Sequence, residues 1–152
     1  MLLIFSSSPF YTEYVKLPKV DVPIPTTIQE NPRFHPFFKD VIGAIDGTHI
    51  PCSPKKEEKE DYCDRNGLIT QMCLMACSFD LLFLYVYSGW EGSASDSSLF
   101  HIARQHSFPI PNGKCYLANA GFPICDELLV PYRGEQYGLD ELGSPETGRS
   151  HC

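Results

Sequence analysis

One carboxylate stands in a setting where it could do chemistry. In VIGAIDGTHI (residues 41–50) Asp46 is the single acid of a nearly continuous apolar run and is followed at once by Gly47. By itself an Asp before Gly is an ordinary turn pair, and only a wider pattern around it would point to chemistry. His49 would project from the opposite face of a strand and suits a hydrogen-bonded polar role better than a ligand's. Other reactive residues have weaker settings. Ser93, Ser95, Ser97 and Ser98 lack the G-x-S-x-G elbow of a serine nucleophile. His101 and His106 are five apart and share no helix face well. The seven cysteines are odd in number and none has C-x-x-C spacing, so they read as small incidental thiols. Residues 55–65 (KKEEKEDYCDR) mix both charge signs with acids in excess, which suits a solvated loop and not a nucleic-acid patch.

These residues need elements to place them. Residues 41–50 suit a strand buried on both faces, stopped by Pro51 and Pro54. Residues 68–79 and 81–88, parted by Asp80, suit a hairpin of two strands. The first stretch would also tolerate a helix, but its tight junction to LFLYVY favours strand pairing. Ser95 or Asp96 can cap a short helix whose apolar stripe is Leu99, Ile102 and Ala103, ending by Ser107 ahead of Pro109. Residues 114–118 (KCYLA) make a last short strand, closed by Asn119, Ala120 and Gly121.

With 152 residues the chain is expected to hold one ordinary domain, and 43% hydrophobic residues can build its core. Twelve bases against 19 acids give a net charge of −7, which argues against a free-standing nucleic-acid binder. The tail after residue 133 carries three of those net negative charges. No window reaches the ~18 apolar residues of a membrane helix, and the N-terminus lacks a signal-peptide pattern, so no membrane role is expected and the chain reads as intracellular.

Three blocks taken together, GAIDGTHIP (residues 43–51), YVYSGWEGSASDSSLF (85–100) and FPIPNGKCYLANAGFPICDELLVPYRGEQY (108–137), resemble the DDE superfamily endonucleases of PIF/Harbinger-type transposons and their domesticated relatives. RNG at residues 65–67, followed by Thr70 and Gln71, resembles a further signature of that family, with Asn66 and Thr70 departing from its usual residues. The resemblance implies an α/β fold: a partial ribonuclease-H-like mixed sheet in the order strand, strand, strand, helix, strand.

It also implies metal-dependent cleavage of DNA phosphodiesters, with Mg²⁺ or another divalent metal as cofactor and carboxylates as ligands. Two ions about 3.5–4 Å apart can stabilise both the attacking and the leaving oxygen. By position Asp46 matches the family's first acid. Asn119, in NAGFP, stands where the family has its second, and both are carried over as the catalytic and metal-site positions. The third acid is expected beyond the end of this chain, since Glu135, Glu141 and Glu146 lack its helical context. Asp96 is a rival second acid, either a neighbour of the metal site or a helix N-cap. DNA, a Myb-like DNA-binding protein partner and a nuclear location follow from the same resemblance.

The chain thus divides into an irregular Pro-rich arm or remnant over residues 1–40, holding six of the 13 prolines, a partial endonuclease-like domain over 41–137, and a divergent, disordered tail over 138–152. Phe34, Phe37 and Phe38 should pack the arm onto the domain. With the second acid replaced, whether the chain is an enzyme is left open and impaired catalysis is expected. A non-catalytic protein-interaction domain and a decayed fragment are the alternatives.

Overall fold

The computed structural model describes residues 8–132 and 134; Glu135, Glu141, Glu146 and the segment 138–152 lie outside the described residues. The apolar run becomes strand β1 (Val41–Pro51). Only its first half is enclosed: Val41, Ile42, Gly43 and Ile45 are buried, whereas Asp46, Thr48 and His49 are exposed. The strand therefore leaves the core at the acid. The expected hairpin forms as β2 (Thr70–Cys77) and β3 (Phe83–Glu91), antiparallel to each other. Each strand is shorter or later than the apolar pattern suggested, because Ser78 to Leu82 close the turn by backbone bonds.

Helix α3 (Asp96–His106) follows two short helices of the arm, α1 (Ser8–Tyr14) and α2 (Thr26–Gln29). Both arm helices fit around prolines: Pro9 falls in the first turn of α1 and Pro25 precedes α2, positions where a missing N–H costs nothing. Strand β4 (Cys115–Leu117) lies parallel to β1, and β5 (Leu128–Leu129) lies parallel to β4. A two-residue strand carries no periodicity, so β5 has no signal in the sequence.

The sheet order is β3-β2-β1-β4-β5, with an antiparallel meander on one side of β1 and parallel strands on the other. This is a partial ribonuclease-H-like α/β arrangement. α3 packs on the sheet through Leu99, Phe100 and Ala103, all buried; Ile102, expected in the stripe, is only half-buried. Tyr85 stacks on Phe108 with ring centroids 4.3 Å apart, and Phe108 meets Tyr116 at 5.3 Å. The Tyr116 hydroxyl is buried with no hydrogen-bond partner among the described residues. Ion pairs pin the periphery: Arg104 to Glu127 at 2.8 Å and Lys114 to Asp40 at 3.3 Å.

From the arm, Val22 packs against this core, and Ile28, Phe34 and Phe38 line a cavity of about 100 Å³ with Phe79 and Leu117. Phe37 does not join them and is 79% exposed. The described cysteines are all free, and Cys73 is buried. Among the described residues no helix is long and apolar enough to cross a membrane.

Candidate functional site

β4 runs parallel to β1 and pairs with it as far as Ala44 and Leu117, so β1 loses that neighbour just before Asp46. Asp46 is not at the end of the strand, as its place before Gly47 suggests, but midway along β1 where the strand emerges from the core, and Asn119 follows β4 by two residues. The two meet: Asn119 Nδ2 donates to Asp46 Oδ1 at 2.7 Å. The Gly47 N–H also donates to Asp46 Oδ1, at 2.8 Å. Asn119 Oδ1 in turn accepts the Gly121 N–H at 2.7 Å. That bond fixes the amide's orientation, because a backbone N–H can only donate. Turning the amide over would set two donors against each other at Gly121 and two acceptors against each other at Asp46.

Asp96 completes the group. Ser95, not Asp96, caps α3: its Oγ accepts from the Ser98 N–H at 3.2 Å. That leaves the Asp96 side chain free to face the strands. A Cβ on Gly47 would collide with Asp96 Oδ1, and a Cβ on Gly121 would lie 2.9 Å from both Asp96 Oδ2 and Asn119 Oδ1. Asp96 thus sits against the two glycines that flank Asp46 and Asn119. Glycine at 47 is required by this close approach. An aromatic pair holds the loop after β4 to the helix: Phe122, fully buried, meets Phe100 edge-on at 6.2 Å.

The electrostatics are those of crowded carboxylates. Asp96 Oδ1 is buried and accepts no hydrogen bond among the described residues. Burial first, and the Asp46 charge second, push the Asp96 carboxyl above the usual carboxylate range, while Arg65 and His49 pull it back. His49 Nδ1 lies 3.0 Å from Thr70 Oγ1, so the histidine has the hydrogen-bonded polar role expected of it. His101 is bonded to Gln105, one turn along α3, and takes no part in the site.

The donor set bears on a divalent cation in two ways. Asp46 and Asp96 offer carboxylate oxygens, one of them an orphaned buried acceptor, which is the kind of oxygen a cation or a hydrogen-bond donor would complete. Asn119 presents an N–H to Asp46, and its oxygen is already taken. Among the described residues no group of three or more His, Cys, Asp or Glu side chains is placed to hold a metal. Asp96 had a signal in the sequence, as the acid next to a better N-cap, but its partnership with Asp46 spans 50 residues and depends on the fold.

Comparison with known proteins bears on the same segment. The putative nuclease HARBI1 of Rattus norvegicus is 28% identical to this chain over 94 residues, which cover 60% of the chain and 27% of the relative. The chain therefore spans about a quarter of the length of that curated relative. No solved structure matches it. The family model described as DDE superfamily endonuclease matches residues 45–150, a stretch that begins one residue before Asp46, takes in Asp96 and Asn119 and continues past residue 137. Over two-thirds of its length, and across every residue of the candidate site, the chain belongs to the DDE superfamily endonucleases.

Proposed function

We propose that this chain is a transposase-derived endonuclease domain that binds one divalent cation between Asp46 and Asp96 and a DNA phosphodiester beside it, with cleavage impaired. The observation that carries this reading is the buried, unpartnered Oδ1 of Asp96 at the glycine next to Asp46. A buried carboxylate oxygen without a partner is costly unless a cation or donor completes it. Asp46 and Asp96 would hold a Mg²⁺ ion, which when bound would supply positive charge to phosphate oxygens.

The residues of the chain divide that work. Gly47 lets Asp96 approach, and its N–H orients Asp46. Phe122 and Phe100 keep the β4 loop against α3. Asn119 is the reason to expect impairment. It donates to Asp46 where a carboxylate would add a second negative oxygen, so it competes with a cation for Asp46 and brings no charge of its own.

A thermal melt with and without Mn²⁺ or Mg²⁺ tests the cation site. The wild-type melting temperature should rise with metal, and Asp96→Asn and Asp46→Asn should abolish the rise. No metal-dependent shift in the wild type would overturn the reading. Efficient Mg²⁺-dependent nicking of supercoiled plasmid would overturn the impairment.

A further inference from the structure

The turn before β2 is built with unusual care for an exposed segment, and it carries a free cation. Asp64 is buried, 7% exposed. Its Oδ1 accepts the N–H groups of Asn66 at 2.8 Å and Leu68 at 2.9 Å. The Asp64 N–H donates to the Leu68 carbonyl at 2.8 Å, and the Gly67 N–H to the Asp64 carbonyl at 3.0 Å. Gly67 has φ of +79°, a conformation that favours glycine. The turn is tied to the sheet where the Thr70 N–H donates to the Tyr62 carbonyl at 2.8 Å, and Thr70 Oγ1 is bonded to His49.

At the crest of this turn stands Arg65. Asp64 Oδ1 is held by two backbone N–H groups, and no ion pair joins Asp64 to Arg65 among the described residues. Arg65 is exposed and belongs to no ion pair among the described residues. The flanks of the turn press on Gly92, four residues before Asp96: a Cβ there would lie 2.5 Å from the Tyr62 carbonyl oxygen and 2.6 Å from that of Thr70, and the Thr70–His49 bond ties the turn to the strand that carries Asp46. The turn fixes the backbone from which Arg65 projects, and a guanidinium fork matches phosphate oxygens. The chain has a net charge of −7, so a local cation beside the acids matters more here than in a basic protein.

We propose that Arg65, presented by the Asp64 turn, binds a backbone phosphate of the nucleic acid next to the Asp46 and Asp96 carboxylates. This rests on the site being a nucleic-acid site, as argued above.

The test is binding of the full chain to a short fluorescein-labelled duplex DNA in Mg²⁺, followed by anisotropy across a salt series. Arg65→Ala should weaken binding by roughly tenfold and reduce the slope of log affinity against log salt by about 1, the signature of one lost phosphate contact. Arg65→Lys should keep the slope and lose part of the affinity, because charge remains and the fork does not. Melting temperatures should match the wild type, since the side chain is exposed. Wild-type binding with unchanged affinity and slope in Arg65→Ala would overturn the assignment and leave the nucleic-acid reading standing. Absence of wild-type binding would sink that reading and the assignment with it. Tighter Mg²⁺ binding by Arg65→Ala in calorimetry, with DNA affinity unchanged, would mean that Arg65 only shields Asp96, and would also overturn it.

Discussion

Asn119 gives its amide N–H to Asp46 Oδ1 at 2.7 Å while its own oxygen is held by the Gly121 N–H. A neutral amide thereby meets part of the carboxylate's need for positive charge. Asn119→Asp would put two negative oxygens in that contact. Without metal the variant should lose roughly 1–3 kcal/mol of stability, the cost of breaking a charge-assisted bond and opposing like charges. With Mg²⁺ or Mn²⁺ it should regain that loss and bind the ion more tightly than the wild type. Calorimetric metal titration and denaturant melts check both signs, and unchanged metal affinity would refute the role given to Asn119.

Gly47→Ala should do the opposite. Its methyl group would occupy the space of Asp96 Oδ1 and of the Met72 side chain. Overpacking of this kind costs about 1–3 kcal/mol. Displacing Asp96 should also remove the metal-dependent rise in melting temperature, a combination that simple destabilisation would not produce.

Phe122 joins the β4 loop to α3 and is fully buried. Truncation to Ala should cost about 3–5 kcal/mol, as large aromatic deletions in cores do. A loss under 1 kcal/mol in urea unfolding would show that the loop is held by other contacts.

Tyr116 presents the reverse case. Its hydroxyl is buried without a partner among the described residues, and burial pushes its ionisation far above the usual tyrosine range. Tyr116→Phe removes a desolvated polar atom and keeps the ring against Phe108. The variant should be as stable as the wild type or about 1 kcal/mol more stable; a marked loss would reveal a partner for the hydroxyl.

Glu127 links stability to pH. The hydrogen-bonded ion pair with Arg104 holds its carboxyl below the ordinary glutamate range. A depressed folded-state value means the contribution is fully present above the unfolded pKa and disappears as pH falls through the lower folded value. Arg104→Met should therefore flatten the acid side of the stability profile and leave the neutral difference small, because Glu127 is partly exposed. Equal acid slopes in the two proteins would show the pair to be inert.

The strands of the meander and the helix with its Ser95 cap were legible because each rests on local pattern, apolar runs bounded by turn residues and a hydroxyl ahead of an i, i+3, i+4 stripe, whereas Asp46 before Gly47 looks like a strand end and lies midway along β1. Nothing in the pattern of the arm marks α1 and α2, because proline density masks short helices that start beside a proline. Phe37 has the same sequence setting as Phe34 and Phe38, and composition cannot tell which of three clustered rings faces the cavity.

By itself the sequence determined which residue types are available at the site and, through three spaced blocks, the family they belong to. Tertiary structure alone decided what they do to one another. Parallel pairing of β1 with β4 brings Asp46 to Asn119 across 73 residues. The cap at Ser95 frees Asp96 to turn inward, and the Gly121 N–H decides which end of the Asn119 amide meets the acid. Local pattern fixes where a strand or helix begins. The charge a carboxylate feels depends on neighbours that only chain crossing brings within a few ångströms, where burial makes those charges count.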